Sequence, residues 1–224
     1  MALEIYQQIF CRMVASHEFR ERLAQDPDGA LEGLDLTERE RRRLMSLAAD
    51  PGMLVNTAIH RANRLSPLDH TLPLTCFLLG ERLRDVLHRY WSENPSENLQ
   101  SPVECERFAA FLRGELRAGR LDGPYLDEVL EFERTCTELR FFTEEELRQS
   151  SSGNALPPLL RIVSFNHDPV RLLESLAGRE MPPADLAAGE FHLLIDCRSG
   201  EPDFRLLDAE GLAALRDISM NLEA

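Results

Sequence analysis

The sequence predicts a mainly α protein that ends in a small α+β module, with helical N-terminal and middle regions packed on a short antiparallel sheet of about three strands flanked by helices. Three observations predict it. Apolar residues recur at steps of three and four through roughly the first 140 positions, the spacing of helices with one buried stripe. The stretch "RQSSSGNALPP" then interrupts the chain with Ser, Gly and Pro, the composition of a linker. After it the period falls to two. In "GEFHLLIDCRSGEPDFRLLD", Phe191, Leu193, Ile195 and Cys197 alternate with His192, Leu194 and Asp196, a Ser-Gly-Glu-Pro turn follows, and Asp203 to Leu207 makes a second run. The chain accordingly divides into residues 1–65, 66–153 and 154–224.

In the first part Tyr6, Ile9, Phe10, Met13 and His17 mark a buried helical stripe that "AQDPDG" ends. "LTERE" restarts a helix, with Thr37 and Glu40 placed for a capping box. The arginines at 39, 41, 42 and 43 read as a solvated helix face. In the middle part Phe77, Gly80, Leu83, Leu87, Tyr90 and Trp91 read as one apolar face, closed by "NPSENLQSP". Ser101-Pro102-Val103-Glu104 opens the next helix with a cap, a proline at its first position and an acid. Phe108, Phe111, Leu112 and Leu116 face inward there. Beyond "LDGPYL", the residues Tyr125, Val129, Phe132, Cys136 and Leu139 continue at helical steps, and Thr143 with Glu146 suggests a third capping box. In the last part "LLRIVSF" reads as a strand and Asp168-Pro169 starts a helix that Gly178 ends. The hairpin and a helix around Leu212, Leu215 and Ile218 complete the module. At about seventy residues the module is expected to be only marginally stable by itself, and so to pack on the helices.

Composition excludes several chemistries. A net charge of −14 over 224 residues argues against nucleic acid or anionic lipid as a general partner, because affinity there comes from basic groups neutralising phosphates. All 25 basic residues are arginine. With no lysine there is no P-loop lysine, kinase lysine or Schiff base. Five cysteines without a C-x-x-C pair fit reduced thiols, and Cys76, Cys105 and Cys136 read as inert core residues. The N-terminus lacks the features of a signal peptide, and the longest apolar stretch, "LPLTCFLLG", is too short to span a bilayer. A cytoplasmic protein is expected. No H-E-x-x-H, G-x-S-x-G, G-x-G-x-x-G or EF-hand loop occurs, and the six histidines are dispersed. No catalytic residue, metal site or cofactor is therefore expected in this chain. "FNHDPVRLLE", with His167, Asp168 and Glu174, reads as a helix start capped by Asn166 or Asp168. Glu133, beside Phe132 on a helical face, needs an arginine or backbone partner if it turns inward. Otherwise it faces a partner.

A short strand at a sheet edge can accept an extended peptide as an added strand. The terminal hairpin suits that role, the alternative being a sheet whose edges are covered by helix. "NRLSPLDHTLPLTCFLLGERLRDVLHRYW", "FAAFLRGEL" and "GPYLDEVLEFERTCTEL" resemble the helical domain of a bacterial family first labelled as DNA-binding proteins. Its members are now understood as partners of multinuclear non-haem iron-dependent oxidases, and the methanobactin biosynthesis partner protein is similar. "PPLLRIVSFNHDPVRLLESL", "IDCR", "DFRLLD" and "AEGLAALRDI" follow the order of that family's C-terminal module, which is similar to the elements that hold leader segments of ribosomally made peptides. The resemblance runs over roughly residues 53 to 219.

The resemblance implies a non-catalytic adaptor that binds the leader of a ribosomal precursor peptide and presents its core to a partner oxidase, which carries the iron. It makes Phe191, Leu193, Ile195, Cys197, Phe204, Leu206, Leu212 and Leu215 candidates for peptide contact. Glu133, Arg134 and Arg198 are the candidates for contact with the partner. The N-terminal "FRERLAQDPDGALEGLDLTERERRRLMSL" instead resembles the small helical subunit of extradiol dioxygenases. An accessory subunit of a ring-cleavage oxygenase is therefore one alternative, and a DNA-binding regulator is the other.

Overall fold

A computed structural model of the chain describes residues 2–94, 101–141 and 159–221. The elements run α1 (Ala2–Ala15), α2 (His17–Gln25), α3 (Pro27–Ala30), α4 (Glu38–Ala48), α5 (Gly52–Thr71), α6 (Pro73–Leu79), α7 (Leu83–Glu93), α8 (Ser101–Arg117) and α9 (Leu126–Arg140). Then come β1 (Leu160–His167), α10 (Pro169–Ala177), β2 (Ala188–Asp196), β3 (Asp203–Leu207) and α11 (Ala209–Asn221). The protein is mainly α, with one small antiparallel sheet near its C-terminus. The proposed Thr143–Glu146 box, most of the Ser/Gly/Pro stretch and the side chain of Ile218 lie outside the described residues.

The chain forms two compact units rather than the three expected parts: residues 1–67 with 82–100, and residues 68–81 with 101–224. The expected boundary at 65/66 falls inside α5, a helix that runs through Pro67. The single apolar face expected over 77–91 is broken at Gly80. There φ is +53°, a conformation glycine adopts without steric cost, and a 3₁₀ turn leads into α7.

In the first unit the chain is stopped and restarted by local caps. The Ser16 hydroxyl accepts the Phe19 N–H at 3.1 Å and Asp26 accepts the Gly29 N–H at 3.0 Å. The Thr37–Glu40 box forms as expected, with reciprocal bonds of 3.3 and 2.8 Å. These helices bury Met13, Phe19, Leu23, Leu31, Leu44 and Met53 together. The helix α7 belongs here because its aromatic side meets arginines of α5. The Arg64 guanidinium lies 5.1 Å from the Tyr90 ring centre, that of Arg61 5.8 Å from Trp91, and His88 sits 3.6 Å from Glu18 of α2.

The second unit is built around α9, whose Val129, Leu130 and Leu139 are buried with Phe108 and Leu112 of α8. The terminal module packs into this unit, as its small size requires. Strand order is β1-β2-β3, with β2 in the centre. Asp168 caps α10 by accepting the N–H groups of Val170 and Arg171, and Gly178 ends it.

Candidate functional site

Register fixes which side chains share a face of the sheet. Phe165 pairs with Phe191 and Val163 with Leu193 across β1 and β2, while Ile195 pairs with Phe204 and Leu193 with Leu206 across β2 and β3. Directly opposed residues point the same way. Phe191, Leu193, Ile195, Phe204 and Leu206 therefore form one apolar surface with Val163 and Phe165. The helix α9 lies on it. The Phe132 ring stands 6.2 Å from Phe165 and 5.6 Å from Phe204, and Arg161 donates to Glu138 at 2.9 and 3.1 Å.

This arrangement divides the eight peptide-contact candidates. Leu193 and Ile195 are 4% and 0% exposed, core residues of a central strand beneath a helix. Their side chains are covered rather than exposed for contact, because alternation reveals a buried face but not which strand lies in the middle. Phe191, Cys197, Leu212 and Leu215 are half-buried. Phe204 and Leu206 are 46% and 49% exposed, on the outermost strand beside Phe132.

The two outer strands differ in what they offer. On β1 the Asn166 N–H is taken by the Glu128 carboxylate at 2.7 Å. A register shift between Phe165 and His167 turns the His167 ring onto the same carboxylate, Nδ1 to Oε1 at 2.7 Å. Tyr125 packs edge-on to that ring at 4.7 Å and holds a left-handed φ of +67°, with its hydroxyl donating to the Pro183 carbonyl. This end of β1 is clasped to α9. Along β3, among the described residues, no strand pairs with the outer edge.

The partner-contact candidates are mostly committed inside the molecule. Glu133 is 4% exposed, and its two carboxylate oxygens accept the N–H groups of Leu74 and Thr75 at 2.7 Å each. It caps the N-terminus of α6 from 58 residues away, a position where Pro73 occupies the first turn and the local chain supplies no side-chain cap. The backbone partner required of an inward carboxylate is thus found, and Glu133 is not a surface contact. Burial pushes its pKa up to about 7, against the lowering effect of those N–H groups and of Arg179. Arg134 is held by Glu131, Glu138 and Glu106 at 2.9, 3.3 and 3.2 Å. Arg198 is exposed but clamps its own neighbour Asp196 with two bonds of 2.9 and 2.6 Å, holding that carboxyl down to about 2.

Four glutamates of α9 therefore reach four places: Glu128 the end of β1, Glu131 Arg113 of α8, Glu133 the start of α6, and Glu138 Arg161 of β1. Sequence reasoning singled out only Glu133. The signal for the set is acids spaced along one apolar helix, where each inward carboxylate requires a donor.

Other chemistry-bearing groups are engaged structurally. Ser164, His192 and Glu190 form a polar row across β1 and β2, with 3.1 and 3.3 Å between neighbours. Ser164 and Glu190 are exposed. Burial raises the Cys76 and Cys136 thiols to about 12, which keeps them protonated and unreactive. In the arginine run, Arg41 donates to the carbonyls of Leu31 and Leu34, and Arg42 lies 3.6 Å from Glu38. Among the described residues no three His, Cys, Asp or Glu side chains converge as a metal site, and no helix is long and apolar enough to cross a membrane. No model of a known protein family matches the chain, and no curated protein sequence matches it.

Proposed function

We propose that this protein is a non-catalytic adaptor that holds the leader of a ribosomal precursor peptide as an added strand on β3 and presents the peptide's core to an iron-dependent oxidase. One observation carries this reading. The outermost strand β3 bears two half-exposed large apolar side chains, Phe204 and Leu206, with Phe204 beside Phe132 of α9. An extended segment laid there gains main-chain hydrogen bonds along β3. Every second side chain covers the apolar strip, while the others meet the Asp203–Arg205 pair on the opposite face. The clasp of β1 to α9 directs the peptide to β3.

The energetics suit a tether. Ordering a flexible leader costs about 2–5 kcal/mol, so a short augmenting strand reaches micromolar affinity, about −8 kcal/mol. That suffices when its purpose is local concentration: a tethered core meets the enzyme at an effective concentration on the order of millimolar. The resemblance of the helical and terminal segments to partner proteins of such oxidases supports this class of enzyme, and the cysteine-reactive iron chemistry would belong to that enzyme.

The test is a titration of a fluorescently labelled leader, taken from a precursor encoded beside this chain's gene, into wild type and Leu206→Asp. Leu206 is half exposed, so Asp there should cost about 1 kcal/mol of stability through its pairing with Leu193, while leader affinity falls about tenfold or more. Equal binding by the two folded proteins would refute the β3 site.

A further inference from the structure

The helix α5 is inverted over its first four turns. The side turned into the first unit carries Thr57, His60 and Arg64 besides Met53, whereas Leu54, Val55, Ala58, Ile59 and Ala62 face solvent. Leu54, Val55 and Ile59 are each more than half exposed. An apolar stripe of this kind normally faces a core. Here the polar residues take the core side, Thr57 bonding to the Met53 carbonyl at 2.9 Å and Arg64 stacking on Tyr90. The outward aliphatic stripe is thus the side of α5 left to be covered by another molecule.

We propose that two copies of this chain pair through this face, with their α5 helices antiparallel about a two-fold axis. The stripe is complementary to itself. When the axis passes between positions 58 and 59, Val55 of one copy falls opposite Ala62 of the other, Ile59 opposite Ala58 and Leu54 opposite Asn63, so each large side chain meets a smaller one. Charge favours the same unit. Residues 1–67 and 82–100 carry 12 arginines against 13 acids, a net of −1, whereas the remaining residues carry 13 against 26, a net of −13. An isologous contact brings each charge against its own copy, so the nearly neutral unit is where two such acidic chains meet with least repulsion. The stripe is small beside the ~800 Å² that a standard interface buries on each partner, so the pair forms in the micromolar range.

Sedimentation velocity of the full chain from low to high micromolar concentration tests this. The expected result is a monomer–dimer equilibrium that tightens with added salt, which screens the repulsion between the acidic units. Ile59→Glu should abolish it. Ala58→Leu separates self-complementary packing from mere stickiness. It adds apolar surface yet places large against large, so it should weaken the dimer about tenfold or more. Both positions are exposed, and circular dichroism with thermal melting verifies that the variants stay folded. A monomer at every concentration overturns the proposal, as does an Ala58→Leu dimer as tight as wild type. Protection of α5 only by a different protein overturns it too.

Discussion

The two units are wired differently. In the first, the helix caps are local and the contacts between helices rest largely on arginine. Caps close within three residues at Ser16, Asp26 and Thr37, Arg12 lies 4.2 Å over Phe19, and Arg61 and Arg64 stack on Trp91 and Tyr90. In the second, contacts are distant and rest on glutamate. Side chains of α9 reach α6, α8, both ends of β1 and the last residue of α5, over as many as 66 residues. The first unit is nearly neutral, and the second holds most of the chain's negative charge. An acidic unit is thereby not merely a solvated one. Several of its carboxylates are internal fasteners, so removing one should affect folding more than surface charge.

The largest test of this contrast is Glu133→Ala. It leaves the Leu74 and Thr75 N–H groups without their acceptor at a buried helix start. Partly offset by relief of the desolvated carboxylate, the cost should be about 2–4 kcal/mol in urea unfolding. Hydrogen exchange should locate the loss in α6 and α9, with the amides of α4 unchanged. Equal loss of protection in both units would break the contrast.

The same carboxylate sharpens the contrast through pH. Its pKa is about 7 in the folded protein against an ordinary value of 4.5, so the folded state binds the extra proton between those values. Its stabilising contribution is complete below about 4.5 and is lost as pH rises through about 7, on the order of 3 kcal/mol in total. Stability measured against Glu133→Gln across this window should show wild type losing ground as pH rises. Parallel curves would show that the carboxyl does not titrate there.

A smaller effect is expected at His167→Ala, which removes the imidazole from the Glu128 clasp but leaves the Asn166 N–H in place. About 1 kcal/mol should be lost, with exchange quickening around residues 164–168 and little change in β3.

The contrast also explains what the sequence made legible. The Thr37–Glu40 box, the Asp168 cap, the stop at Gly178 and the hairpin are each written within a few residues, and each forms as expected. Glu133 is different. Its need for a partner is visible from its place on an apolar helix, but the partner lies 58 and 59 positions away and belongs to a helix start with no cap of its own. The central position of β2 depends on β1 arriving from the other side of α10, which alternation cannot encode. For that reason Ile195 and Leu193 looked available and are buried, whereas Phe204 and Leu206, with the same pattern, remain accessible. On α5 the polarity is inverted, the aliphatic stripe being the outer one.

Backbone exchange tests the adaptor account most directly. With saturating leader peptide, the amides of Asp203 to Leu207 should gain protection, together with those of α9 around Phe132, while β1 and the first unit stay as they were. Protection that appears instead along β1 or on α4 and α5, with β3 unchanged, would contradict it.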